Sequence, residues 1–140
     1  MKQKDAYLDI VRRCIASAKQ HQSGKICFPE IIGFLAYHTL ESLACAVIVH
    51  FKSTIPNNHE TKLQMFMRFC KRNLQDSVNV KFIASVIIRM EKNGYRSKFL
   101  YPEFQGSDRY KAPQEQITLT EAGLLIRDVE RIIDRVLGAI

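Results

Sequence analysis

Apolar residues recur at helical spacing in five segments of this chain. Over about residues 4–21, Tyr7, Leu8, Val11, Cys14, Ile15 and Ala18 share one face, while Arg12, Arg13, Lys19 and Gln20 lie off it. Ser23-Gly24 breaks the pattern. Pro29 then sits in the first turn of a second helix, about 28–51, where its missing N–H is harmless. In that helix Phe28, Ile31, Ile32, Leu35, Leu40, Leu43, Ala44, Val47, Ile48 and Phe51 cover most of the circumference. A helix apolar nearly all round is central, or is shared between the core and a partner chain.

A polar loop leads to a third helix, about 59–74, with Leu63, Phe66, Met67, Cys70 and Leu74 on its apolar face. Asn57 and Glu60 have the spacing of an N-terminal cap with a carboxylate three residues on. Ser77 is placed to cap a fourth helix, about 78–93, which Asn93-Gly94 ends. Thr118 and Glu121 form a capping box ahead of a fifth, about 120–137, striped by Ala122, Leu125, Ile126, Val129, Ile132, Ile133, Val136 and Leu137. Residues 94–118 read as an irregular loop in which aromatic and basic residues alternate.

Short connections make the early helices antiparallel neighbours. The expected fold is therefore all-α, an up-and-down antiparallel bundle of four to five helices forming one domain over residues 1–140. Only 6 Gly and 4 Pro are present, too few turns for an all-β chain of this length. The most apolar stretch, Ile31–Phe51, is interrupted by His38, Glu41 and His50, so no membrane span is expected. The first residues, MKQKDAYLDIVRRC, are charged and lack an apolar secretory core. Cys14, Cys27, Cys45 and Cys70 then read as reduced thiols in a cytoplasmic protein.

Charge narrows the partners. Lys and Arg total 21 against 14 Asp and Glu, a formal net charge of +7 that suits the phosphates of RNA or nucleotides. No glycine-rich phosphate loop or zinc-finger spacing is present, and His21, His38, His50 and His59 do not pair at metal-ligand spacing, so neither metal nor cofactor is expected. Two stretches could carry chemistry. In Lys52–Lys62 a cation ends one helix and His59 begins the next, so an acid–base imidazole and a phosphate-binding ammonium can approach across a short loop. In Tyr95–Lys111 the aromatics are interleaved with Arg96, Lys98, Arg109 and Lys111, a composition that can stack bases and hold phosphates or else pack the loop onto the bundle.

Taken in order, these pieces resemble the HEPN family of small helical domains. The segment Phe34-Leu-Ala-Tyr-His-Thr-Leu-Glu-Ser-Leu-Ala-Cys-Ala-Val-Ile is similar to the family's second helix. Pro56-Asn-Asn-His59-Glu-Thr-Lys62 is similar to its histidine-bearing turn, Tyr95–Pro102 to the stretch before its last helix, and Glu121–Leu137 to that helix. The resemblance implies a homodimer and a metal-independent endoribonuclease, whose active site combines an Arg and, four to six residues later, a His near the dimer interface. His59 matches the histidine. The cation position carries Lys52 where the family usually has Arg, which keeps the charge without the planar fork that suits phosphate. On this reading His59 and Lys52 are catalytic, and Asn58, Glu60, Lys62, Arg96 and Lys98 bind or orient the substrate. The same resemblance implies an alternative, a non-catalytic module that binds a nucleotide, RNA or a small nucleotidyltransferase partner.

Overall fold

The computed structural model describes residues 1–140. Its elements are α1 (Gln3–Ser23), α2 (Pro29–His50), α3 (His59–Asn73), α4 (Val80–Lys92), α5 (Tyr95–Leu100), β1 (Glu103–Gly106), β2 (Arg109–Lys111), a 3-10 turn at Pro113–Glu115, and α6 (Leu119–Leu137). The fold is an all-α bundle bearing one small antiparallel hairpin.

The apolar circumference of α2 is explained by its place. It runs through the middle, with α1, α3, α5 and α6 packed around it. From Thr39 to Ile48 every residue is buried. By length and composition α2 could also cross a bilayer, but 78% of its most apolar window is buried inside the bundle, as in a core helix. One apolar cluster takes buried side chains from all six helices, so a single continuous core holds them. The amphipathic partners turn one face inward: Leu8, Val11 and Ala18 from α1, Leu63, Phe66 and Cys70 from α3, Ile83, Val86, Ile87 and Met90 from α4.

Helix starts follow side-chain chemistry, with two departures from the sequence reading. Thr118 and Glu121 make the expected box: Thr118 Oγ1 accepts from the Glu121 N–H at 3.1 Å, and Glu121 accepts from the Thr118 N–H at 3.4 Å. At α4 the cap is Asn79 instead of Ser77. Asn79 Oδ1 accepts from the Phe82 N–H at 3.0 Å, while the Ser77 N–H is used in the turn that closes α3, donating to the Leu74 carbonyl at 2.9 Å. At α3 the cap is Asn58 instead of Asn57, its Oδ1 accepting from the Thr61 N–H at 3.0 Å. Each such cap stabilises its helix by about 1 kcal/mol.

Residues 94–118, read as irregular, carry local order. Gly94 at φ +60° turns the chain into α5, whose Tyr95 and Phe99 are buried. Phe99 lies directly on Gly33 of α2: a Cβ there would stand 2.7 Å from the Phe99 ring. Gly33→Ala is therefore expected to push α5 outward and cost about 1–3 kcal/mol, read as a lower unfolding midpoint in urea with an unchanged m-value. A midpoint equal to wild type would show that the ring moves freely. Beyond α5, β1 and β2 pair with Phe104 opposite Tyr110 and Glu103 opposite Lys111, and Gly106, Ser107 and Asp108 take positive φ through the turn.

Candidate functional site

Glu41 stands in the apolar middle of α2 with its side chain 9% exposed. A carboxylate withdrawn from water there needs partners, and α3 supplies two. His59, the first residue of α3, places Nδ1 2.6 Å from Glu41 Oε2, and Lys62, one turn on, places Nζ 3.5 Å from Oε1. Asn58 fixes this arrangement indirectly, because its cap sets where α3 begins and hence where His59 points. The His59 side chain is 40% exposed, and Nε2 has no hydrogen-bond partner in the protein. A carboxylate at Nδ1 favours a proton on that nitrogen, which leaves Nε2 free of any partner in the protein.

The surroundings are strongly charged. Burial, reinforced by Glu41, pushes the Tyr37 hydroxyl up to about 12, with Arg96 of α5 opposing the rise. Burial pushes the Cys45 thiol up to about 11, with Lys62 opposing and Glu41 reinforcing, so this thiol stays protonated and inert at neutral pH. Burial, then the neighbouring charge of Glu60, raises Glu91 above the usual carboxylate range. Glu60 itself accepts from Gln64 Nε2, one turn further along α3, at 3.3 Å. The site thus lies where the middle of α2, the start of α3, the end of α4 and α5 meet.

Of the residues singled out by sequence, His59 and Lys62 converge on Glu41, Asn58 caps the helix that carries them, and Arg96 lies within electrostatic reach of Tyr37. Lys52 is not bonded to His59. It follows α2 in a left-handed conformation, φ +60°, and its charge falls on His50. Lys98 belongs to a separate cleft at the hairpin base, with Ser97, Tyr101 and Gln116. Glu41 and Tyr37 were not singled out. Their signal was present as one carboxylate inside a nearly all-apolar helix, a residue that burial obliges to find a cation or a hydrogen-bond donor.

The Lys52 end of α2 has a pH consequence of its own. Lys4 Nζ lies 3.3 Å from His50 Nδ1. Burial, then Lys4 and Lys52, holds the His50 imidazole below its usual 6.5. The unfolded chain therefore takes up this proton first, and stability is lost as pH falls from about 6.5 through the lower folded value. The melting temperature is expected to drop between pH 7 and pH 5, and to drop less in His50→Gln. Equal drops in both proteins would remove His50 as the cause.

No group of three or more His, Cys, Asp or Glu side chains converges anywhere in the fold. The four cysteines are free thiols, Cys45 and Cys70 buried and Cys14 and Cys27 half-buried. Fold and site together define a helical bundle with an oriented histidine–carboxylate pair beside cationic side chains. Comparison with known protein families, curated proteins and solved structures finds no match to this chain.

Proposed function

We propose that this chain is an RNA-directed protein of the HEPN type and acts as a metal-independent endoribonuclease centred on His59. One observation carries the reading: a part-exposed imidazole anchored through Nδ1 to a buried carboxylate, with Nε2 left without a partner in the protein. That arrangement is what a general base requires. Nε2 takes the proton from a ribose 2′-hydroxyl, and the 2′-oxygen attacks the adjacent phosphorus. The bond from phosphorus to the 5′-oxygen breaks, and the leaving oxygen takes its proton from the His59 imidazolium, directly or through one water, which restores the base. The products are a 2′,3′-cyclic phosphate and a 5′-hydroxyl, and the proton count balances.

Charge on the phosphorane-like transition state is met by nearby cations. Lys62 is next to the pair, Arg96 lies within electrostatic reach of Tyr37, and Lys52 follows the end of α2. A second copy of the chain would complete the site. Phe34 and His38 lie two turns and one turn before Glu41 on the same face of α2, half-buried, their rings stacked at 5.8 Å. This part-covered face leads directly to the pair and suits an interface between copies. The reading places the protein in the cytoplasm.

The test is incubation of labelled RNA with purified protein in EDTA. Shorter fragments from wild type and none from His59→Ala are expected, with a smaller loss in Lys52→Ala. Fragments that persist unchanged in His59→Ala would contradict the assignment.

A second reading has an observation of its own. Lys62 is engaged by Glu41, and the charge of Lys52 falls on His50, so no cation is bonded beside the imidazole. A site with that balance fits a non-catalytic module binding a nucleotide, RNA or a nucleotidyltransferase. It is distinguished by salt-sensitive binding without turnover.

A further inference from the structure

Three of the large apolar side chains most exposed in this protein fall within one ten-residue segment: Tyr101 is 57% exposed and Phe104 and Tyr110 are each 62% exposed. Phe104 and Tyr110 are a cross-strand pair on the β1–β2 hairpin, their ring centroids 5.5 Å apart. Strand alternation puts both rings on one face, and that face is bare. The sequence reading offered packing onto the bundle as one fate for these aromatics. Phe99 does pack there, but Tyr101, Phe104 and Tyr110 do not.

The cations around them are also free. Arg109 stands opposite Gly106, which has no side chain to cover it, and Lys111 stands opposite Glu103. None of Lys98, Arg109 and Lys111 forms an ion pair with a carboxylate. Arg109 and Lys111 flank Tyr110 on its own strand, both exposed, and by strand alternation they leave the ribbon on the face opposite the rings. An isolated two-stranded ribbon is marginally stable. Here a single carboxamide clips its base, Gln116 Nε2 donating to the carbonyls of Tyr101 and Lys111, each at 3.1 Å. The hairpin is thus held in shape while its two working faces are left in water.

We infer that the β1–β2 hairpin is a single-strand nucleic-acid arm, in which Phe104 and Tyr110 stack bases while Arg109, Lys111 and Lys98 hold the phosphates between them. Exposed aromatic rings alternating with unpaired cations match a polyanion that carries flat bases. An apolar protein partner would meet uncompensated charge on either side of the rings. The inference takes its ligand class from the RNA reading above, but it concerns binding and needs no bond to be cut. The arm would grip a strand through residues other than His59, so that affinity and cleavage are carried by different side chains.

The test uses a fluorescent single-stranded oligonucleotide with 2′-O-methyl riboses, which lack the attacking hydroxyl, and fluorescence anisotropy. Stacking on aromatic side chains is worth roughly 1–3 kcal/mol per base. The double variant Phe104→Ala, Tyr110→Ala is therefore expected to bind at least tenfold more weakly, with its circular dichroism unchanged because both rings are exposed. Arg109→Gln with Lys111→Gln is expected to reduce the slope of log affinity against log salt by about 1.4, each phosphate contact to a single strand contributing about 0.7.

Equal affinity in the aromatic variant overturns the inference, as does absence of oligonucleotide binding by wild type. A change in sedimentation of the aromatic variant without a change in affinity also overturns it, and assigns the rings to a protein contact. The two readings fail separately. Hairpin-dependent binding without RNA cleavage leaves the arm and removes the nuclease. His59-dependent cleavage with unaltered affinity in the aromatic variant leaves the nuclease and removes the arm.

Discussion

Replacing Glu41 by Gln is expected to lower kcat for RNA cleavage by about a hundredfold or more with little change in KM. The substitution keeps the shape of the side chain and changes what it offers to Nδ1. A carboxylate accepts the proton bond from Nδ1, 2.6 Å away, and leaves Nε2 unprotonated. A carboxamide can turn its NH2 toward the ring, which favours the opposite tautomer with the proton on Nε2. The base is then blocked at the atom that faces substrate, and the imidazolium formed during reaction loses its counter-charge. Lys62, 3.5 Å from the other oxygen, loses its anion in the same change. Substrate contacts elsewhere are untouched, so the loss falls on turnover. Steady-state kinetics on a short RNA, with a melting curve for each protein, separates the two roles of Glu41. A kcat within threefold of wild type would make the carboxylate a structural anchor only.

The largest effect on stability is expected from Arg89→Ala. Asp128 lies on the buried side of α6, 4% exposed, and Arg89 of α4 donates Nη2 to its Oδ2. The other basic group near it, Arg127, is 3.9 Å away and two-thirds exposed, a weak substitute. Truncating Arg89 leaves a carboxylate buried without its close partner, which costs about 3 kcal/mol. For a chain of this length that is a fall in melting temperature of about 10 °C. The double variant Arg89→Met, Asp128→Leu is expected to recover most of it, because two apolar side chains of similar size remove the stranded charge. A fall no greater than a few degrees in the single variant would mean that water reaches Asp128.

The parts of this structure legible in sequence were those that repeat. Five of the helices and α2's central place follow from apolar periodicity sustained over three or more turns, where many residues agree. The capping box at Thr118 was legible because two side chains must match at fixed spacing. The caps at Asn58 and Asn79 were misplaced because Asn57 and Ser77 are equally good caps a residue or two earlier, and only the turn preceding each helix decides between them. The hairpin was invisible for a different reason. Its strands are three and four residues long, and both faces are wet, so no alternation of apolar and polar residues marks them.

The site divides in the same way. His59 was readable because an imidazole at a helix start is local chemistry. Its partner was not, because Glu41 lies 18 residues away and the contact depends on how α3 packs against α2. The short loop allows Lys52 to approach His59, and the family resemblance assigns it the cation position, but sequence does not decide whether the two face each other. In the fold the left-handed turn at Lys52 sends its charge toward His50 instead.

The central claim is that His59, oriented by Glu41, moves the proton of a ribose 2′-hydroxyl. The most direct measurement is the chemistry of the fragment ends after incubation of RNA with wild-type protein in EDTA. The account predicts 2′,3′-cyclic phosphate and 5′-hydroxyl ends. Fragments bearing 5′-phosphate and 3′-hydroxyl ends, which require water to attack phosphorus in place of the 2′-oxygen, would contradict it, and so would intact RNA.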